Sequence, residues 1–349
     1  MSLFVNIATE VDDMKKKVCI LFTGGTIGMV PTENGYAPKK NYFEEVLRNT
    51  IDETDEQIPD WDLVEFDPLL DSSNMSVKEW NMISNAIKER YDDYDGFVIL
   101  HGTDTMAYTA SALSYSLENL GKPVILTGSQ IPLCRVRSDA KDNILCSMII
   151  ASQGIANEVG LFFCGRLFRG NRATKASADD IAAFDSPNYP PLATVGIDIK
   201  YNMSAIAKPG NGKLFRSEYS EVPIAVLKFF PGMQFSLFEN IITDSLDGLV
   251  LEAFGAGNIP SSDAALPGII KRAFDKGTIV TVCSQCQKGS VALGAYETSS
   301  PLKKAGAVSG YNMTTEAAIT KLYYLFSQGY SKERIKAYME TDIRGEMDV

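Results

Sequence analysis

KKVCILFT, residues 16–23, is a short apolar run that leads into Thr23-Gly24-Gly25-Thr26-Ile27-Gly28. Three further runs share its character: DGFVILHG at 95–102, KPVILTG at 122–128 and EVGLFFCG at 158–165. Near-continuous apolarity over so few residues marks strands buried on both faces, as in a parallel sheet. Between the runs, Val77–Tyr91, Met106–Leu120 and Ser138–Ser152 carry apolar residues at helical spacing. That alternation predicts an α/β fold with a doubly wound sheet and right-handed crossovers.

From about Pro187 to Val222 the rhythm stops. SPNYPPLATVG and AKPGNGKLF are rich in proline and glycine, as expected of an interdomain linker with a hairpin-like excursion. Strand-like runs then resume at PIAVLKFFPG, LDGLVLEAFGAGN and GTIVTVCSQC, with helices predicted at Ala264–Lys276 and Thr314–Gln328. The expected organisation is an N-terminal tail over 1–16, a larger α/β domain over 17–200, a linker over 201–221 and a smaller α/β domain over 222–349. A chain of 349 residues has material for two cores.

Composition narrows the function classes. With 33 basic against 44 acidic residues the net charge is −11, a sign that repels phosphate backbones and anionic lipid, so neither nucleic acid nor membrane is expected as a partner. The N-terminus has no long apolar core of a signal peptide, and no run approaches the roughly 20 apolar residues of a membrane span. Six cysteines lie mostly in apolar runs and read as small buried hydrophobes of a reducing compartment, which points to the cytoplasm. Cys283 and Cys286 form a C-x-x-C, but no second pair lies at zinc-site spacing, so no metal is expected. His101 is the only histidine, which rules out a polyhistidine metal site and leaves a hydrolase here in need of a different base.

In open parallel sheets ligands bind beyond the carboxyl ends of the strands, and here those ends are rich in hydroxyls. TGGTIG is neither a phosphate loop nor a dinucleotide fingerprint, because no lysine and no helix follow it at the required spacing. The segment from Ile27 to about Lys40, with Gly28, Pro31, Asn34-Gly35 and Pro38, reads as a mobile lid with Tyr36 at its middle. His101-Gly102-Thr103-Asp104-Thr105 places two reactive side chains at a strand end, and Asp104 or Thr105 also suits the N-cap of the helix from Met106. His101 itself, inside FVILH, reads as a satisfied interior histidine. In RGNRATKA, residues 169–176, Lys175 set among hydroxyls and near Arg172 is a candidate base for a threonine nucleophile.

Jointly, TGGTIG, HGTDTMAYTASAL and GNRATKA resemble the bacterial-type L-asparaginase family, in particular its cytoplasmic type I branch, from about Lys17 to the C-terminus. The resemblance implies the two-domain asparaginase fold, no cofactor, and hydrolysis of L-asparagine to L-aspartate and ammonia through an acyl-enzyme. Thr26 matches the nucleophile and Tyr36 the lid tyrosine, while Thr103, Asp104 and Lys175 match the second catalytic group. Asp71, Ser72 and Ser73 match the clamp for the substrate's carboxylate and ammonium. Backbone N–H groups near Thr103 and Ser129 are expected to face the oxyanion, and Gly102 is expected among the substrate-binding residues.

The same resemblance implies a homotetramer built from close dimers, with Asn258 approaching the neighbour's substrate pocket. It also implies an allosteric asparagine site near Thr174, Ser284 and Cys286. There the chain departs from the regulated pattern, because Glu252 stands where an arginine is expected. A carboxylate does not replace a guanidinium that clamps an effector's carboxylate, so altered or weak allostery follows. Three other readings fit less well. A dinucleotide oxidoreductase needs a different first turn, and a non-catalytic amino-acid sensor would not need both Thr26 and Thr103. A component of a tRNA amidotransferase would favour a basic surface and further domains.

Overall fold

A computed structural model describes residues 15–33, 35–38, 42–237, 245–260, 265–294 and 299–349. The expected tail, apart from residues 15 and 16, lies outside the described residues, as do Asn34 and residues 39–41 of the lid.

The spine is β1 (Lys17–Gly24), whose residues from Val18 onward are all buried. After a 3-10 turn at Thr26–Gly28 the chain forms a lid hairpin of β2 (Met29–Thr32) and β3 (Gly35–Pro38), then α1 (Phe43–Thr50) and β4 (Asp60–Leu70). There follow α2 (Val77–Arg90), β5 (Gly96–Leu100), α3 (Met106–Ser116), the two-residue β6 (Leu117–Glu118), β7 (Val124–Thr127), α4 (Ala140–Gln153), β8 (Val159–Phe163) and β9 (Arg166–Arg169). A small ladder of β10 (Thr174–Lys175) and β11 (Phe184–Asp185) precedes β12 (Ala193–Val195) and β13 (Ile199–Tyr201). The eight-stranded sheet runs in the order β13-β12-β9-β8-β7-β5-β1-β4.

Side chains alternate across this sheet, as the two-residue strand period requires. Val18, Ile20 and Phe22 join one apolar cluster with Leu47 of α1 and Ile144 and Met148 of α4. Cys19 and Leu21 join the other with Ile83 and Ile87 of α2 and Leu113 of α3. Pairing from β4 to β8 is parallel, as expected, but beyond β8 it is antiparallel, so the sheet is mixed. The cause is local. Cys164 and Gly165 have φ of 47° and 75°, the two left-handed residues that a two-residue hairpin needs, and they send β9 straight back along β8.

Beyond β13, the proline- and glycine-rich stretch is pinned where β14 (Phe215–Arg216) pairs with β6. Tyr219 fixes it further: its backbone exchanges hydrogen bonds with the Asn81 amide at 2.8 Å each way, and its hydroxyl donates to Ala112 O at 2.7 Å. A second sheet follows, all parallel, in the order β15 (Ile224–Lys228), β16 (Gly248–Ala253), β17 (Ile279–Ser284), β18 (Val308–Ser309). Around it lie α5 (Ala265–Asp275), α6 (Ser300–Lys304), α7 (Thr315–Ser327) and α8 (Lys332–Met339). Helices α3 and α7 join the two units: Ala112 and Tyr115 share an apolar cluster with Ala318 and Leu322, and the Ser111 and Thr320 hydroxyls meet at 2.7 Å.

Helix α3 ends at Ser116, four residues short of its predicted end, because Leu117 and Glu118 are drawn into the ladder with β14. The six cysteines divide differently from expectation. Cys19 and Cys283 are buried, whereas Cys134, Cys164 and Cys286 are exposed, each in a loop or turn beyond an apolar run. No helix among the described residues is long and apolar enough to cross a membrane.

His101 closes β5 and is 1% exposed. Its Nδ1 lies 2.7 Å from Gly102 O and its Nε2 3.0 Å from the Thr109 hydroxyl. A carbonyl only accepts, so the ring proton sits on Nδ1 and Nε2 accepts from Thr109. Burial lowers its pKa to about 4, against a smaller upward pull from Gly102. The imidazole is a neutral core element at pH 7, as its sequence setting suggested. A depressed histidine pKa means the unfolded chain takes up the proton first as pH falls from about 6.5 toward 4. Stability should therefore decline over that window by roughly 3 kcal/mol from this group alone. Denaturation midpoints measured from pH 7 to pH 4 should show that decline, and a His101→Gln variant should lose the part belonging to this residue.

Candidate active site

The strands β4, β1, β5 and β7 are adjacent and parallel, so their carboxyl ends open on one edge of the sheet. A cavity of about 370 Å³ lies there. Each strand contributes the residues just past its end: Asp71 and Ser72 from β4, Gly25 and Thr26 from β1, Gly102, Thr103 and Asp104 from β5, and Gln130 and Ile131 from β7. Lys175 enters from β10, and residues near Asp179 close the side.

Two glycines let these strand ends converge. Gly25 has φ of 91°, and a Cβ on it would stand 2.5 Å from Gly102 Cα. A Cβ on Gly102 would stand 2.4 Å from Ser72 Oγ. Backbone therefore meets backbone between Gly25 and Gly102, and the Ser72 side chain packs on Gly102, so a side chain at either glycine would force the strand ends apart. The lid is seated by the same means, since a Cβ on Gly28 would meet the ring of Phe22 at 2.3 Å. Phe22 in turn stacks on Phe43 with ring centroids 4.1 Å apart.

The polar geometry centres on Lys175. Its Nζ donates to Thr103 Oγ1 at 2.9 Å and to Asp104 Oδ1 at 2.7 Å. Thr103 donates onward to Gln130 Oε1 at 3.1 Å, so its oxygen accepts from the lysine while its proton points to the amide. Gln130 Nε2 is held by the carbonyls of Ala178 and Asp180 at 3.2 and 3.1 Å. Asp139 fixes the turn carrying Gln130, accepting from the backbone N–H groups of Gln130 and Ile131 at 3.0 and 2.9 Å. Asp71 accepts from Ser73 N at 3.0 Å and caps the short turn that presents Ser72. Thr103 is 7% and Ser72 6% exposed and form the floor of the cavity, whereas Asp71, Asp104 and Asp179 at its mouth are exposed.

Seven residues expected at the site are thus brought together: Thr26, Thr103, Asp104, Lys175, Asp71, Ser72 and Gly102. Four are placed elsewhere. Ser129 is buried and does not line the cavity, its successor Gln130 doing so instead. Ser73 is exposed and enters only through its backbone bond to Asp71. Tyr36 stands across the lid hairpin from Pro31, 44% exposed and away from the cavity lining. Asn258 closes a turn with Phe254 beyond β16 and does not line the cavity of its own chain.

Two further expectations change. Thr105 precedes α3 without capping it through its side chain; its hydroxyl donates to Ser72 O at 2.7 Å and ties the ends of β5 and β4 together. Arg172 is not a neighbour that acts on Lys175. Its guanidinium turns to the C-terminal segment, onto Gly345 O and Asp348. Gln130 was not singled out in the sequence, and the signal for it was present: it directly follows Thr127-Gly128-Ser129 at a strand end.

A second cavity, of about 220 Å³, lies by β10, where Thr174 alternates with Lys175. Thr174, Glu252, Ser284 and Cys286 all line it, together with Glu316. Thr174 donates to Glu316 Oε1 and Thr315 to Glu252 Oε1, each at 2.7 Å. Burial raises the Glu316 carboxyl above its usual range, against the pull of the Thr174 hydrogen bond, and Glu252 adds to the rise. Among the described residues no cluster of histidine, cysteine and acidic side chains suits a metal ion.

Comparison with known proteins addresses the family and the fold. The model of the family "Asparaginase, N-terminal" matches residues 17–207, and that of the "Glutaminase/Asparaginase C-terminal domain" matches residues 223–339. The chain is 45% identical to L-asparaginase 1 of Escherichia coli K12 over 333 residues, covering 95% of this chain and 98% of that one. A crystal structure of L-asparaginase I from Vibrio cholerae superposes with a TM-score of 0.89 at 43% identity, covering 96% of this chain and all of that one. A glutamyl-tRNA(Gln) amidotransferase chain of Methanopyrus kandleri is 33% identical over 357 residues, a match that covers 97% of this chain and 76% of that one. With both family models matched in order and an asparaginase fold formed by nearly the whole chain, this protein belongs to the asparaginase family.

Proposed function

We infer that the chain is an L-asparaginase, hydrolysing L-asparagine to L-aspartate and ammonia. The observation that carries this is the Lys175 ammonium, held between Thr103 and Asp104 in a cavity that also receives Thr26 and the Asp71–Ser72 turn. Near full-length similarity to asparaginases favours this reading over the amidotransferase one, whose longer chain this one only partly spans.

In the mechanism we propose, Asp71 receives the substrate's ammonium, and Ser72 with the backbone about Ser73 receives its carboxylate. The side-chain amide then reaches the strand ends. The Thr26 hydroxyl attacks the amide carbon and gives up its proton toward the departing nitrogen. Backbone N–H groups near Gly102 and Thr103 stabilise the oxyanion, a kind of contact worth roughly 3 kcal/mol of barrier per donor. The C–N bond breaks and ammonia leaves. Water then attacks the aspartyl ester, with Thr103, Lys175 and Asp104 carrying its proton to the released Thr26 oxygen. Tyr36 orients Thr26 once the lid closes from the open hairpin. Glutamine differs by one methylene, worth only about 1–3 kcal/mol, so it is a slower substrate rather than an excluded one.

The assembly we propose is a cytoplasmic tetramer of close dimers, each Asn258 reaching the neighbour's cavity. Light scattering should return four times the 38.2 kDa chain mass. The second cavity is where an allosteric asparagine would sit, but Glu252 and Glu316 present carboxylates to the effector's own carboxylate. Like charges repel there, so asparagine activates weakly or not at all. Rate against asparagine concentration should accordingly be hyperbolic, and a sigmoidal curve abolished by changing Ser284 or Cys286 would contradict this.

The direct test is ammonia release from L-asparagine and L-glutamine over a concentration series. Thr26→Ala should lose about 10³-fold or more in kcat with its circular dichroism unchanged, and Lys175→Met about 10²–10⁴-fold. Retained turnover in Thr26→Ala would remove threonine 26 as the nucleophile.

A further inference from the structure

Lys175 belongs to a two-residue strand, too short to hold its own position. What holds it lies at the other end of the chain. Immediately before β10 the backbone makes a 3-10 turn at Gly170–Arg172, and all three residues are buried. A Cβ on Gly170 would fall within about 3.0 Å of Ser114 Oγ, Ala110 O and Val159 O, so one side of the turn rests directly on α3 and β8.

The other side is held by residues 342–348. Asn171 Nδ2 donates to Arg344 O at 3.0 Å, and Arg172 Nε donates to Gly345 O at 2.6 Å. The remaining guanidinium nitrogens of Arg172 donate to Asn312 Oδ1 at 3.2 Å and Asp348 Oδ1 at 3.1 Å. Asn312 and Asp348 also bond each other at 2.8 Å, closing the grip. The segment is itself anchored. Glu346 pairs with Lys321 of α7, both side chains wholly buried, and receives Arg344 N at 2.7 Å. Burial disfavours the Glu346 carboxylate, but Lys321 overcomes this and holds its carboxyl below the usual range. Gly345, at φ of 75°, passes so near Arg169 that a Cβ would stand 2.3 Å from its guanidinium.

We propose that residues 342–348 are a clasp that positions Lys175, with Arg172 as the positioning residue through which it acts. The grip crosses from the second sheet unit to the turn that delivers the lysine, so the accuracy of the Lys175–Thr103–Asp104 contact depends on the chain's last residues. Arg172 touches no reacting atom in this scheme. It converts a buried ion pair in one unit into a fixed backbone direction in the other. The proposal rests on the asparaginase reading for its kinetic consequence but not for its structural one.

Deleting residues 342–349 would remove the carboxylate partner of the buried Lys321, so that variant tests folding rather than positioning. The informative variant is Asn312→Ala/Asp348→Ala, which removes the outer half of the grip at a side chain that is 66% exposed in Asp348. Its kcat for asparagine should fall about tenfold, on the scale expected when a catalytic group is misplaced by a fraction of an ångström, with KM changed less than about twofold. Asp348→Glu should recover most of that loss. Amide hydrogen exchange, read without turnover, should accelerate in the peptide covering 170–176. Unchanged kcat well below the melting temperature, or exchange at 170–176 equal to that of the unaltered chain, would overturn the proposal. Failure of the asparaginase reading would instead appear as absent ammonia release from the unaltered chain, while the exchange result would still decide whether the clasp holds the turn.

Discussion

One contact organises the strand-end cavity of this chain: a lysine ammonium lying between a threonine hydroxyl and the carboxylate that follows it in sequence. Lys175 meets Thr103 and Asp104 across about seventy residues of chain. The chain's only histidine is buried, neutral and satisfied, so in the mechanism we propose proton transfer falls to a group whose ordinary role is a surface charge. A lysine has a long flexible stem, and it serves as a reagent only where its end is fixed. Much of the surrounding structure is explained by that requirement. Glycines allow three strand ends to converge, Gln130 orients the Thr103 hydroxyl, and a buried turn delivers β10.

The central strands could be read from the sequence because burial on both faces leaves an unbroken apolar signature. The same reasoning fails at the edges. Strand β4 is partly solvated, its residues alternate between polar and apolar, and it resembles no buried run. The return of β9 is encoded only in Cys164 and Gly165, and a cysteine is no usual mark of a left-handed turn. The lid was legible as a segment from its glycines and prolines, but pairing of Met29–Thr32 with Gly35–Pro38 depends on register that composition does not carry.

At the cavity, residue types at strand ends singled out the two threonines and Asp104, whereas the Asp71–Ser72 turn came only from the family resemblance. What could not be read was direction. Arg172 looks like a neighbour for Lys175, three positions away in a basic stretch, yet the turn points it to the opposite side, toward Gly345 and Asp348. Thr105 looks like a helix cap, yet its hydroxyl finds a better acceptor in Ser72 O. In both cases a long-range partner outcompetes the local one, and no window of sequence contains both partners.

Strand β10 also separates two cavities by a single residue step. Thr174 faces the acidic cavity through its bond to Glu316, and Lys175 faces the catalytic one. The Thr174–Glu316 bond thus joins the lining of one cavity to the short strand that carries Lys175 into the other. Charge decides which ligands suit the acidic cavity. With Glu252 and Glu316 both lining the cavity, an anion meets repulsion where a guanidinium would have offered a bidentate clamp. The residue type at position 252 therefore sets the charge that a ligand of this cavity meets and leaves the Thr174–Glu316 bond intact. The clasp we propose for Lys175 acts from the other side, through buried groups of the C-terminal segment that do not line that cavity.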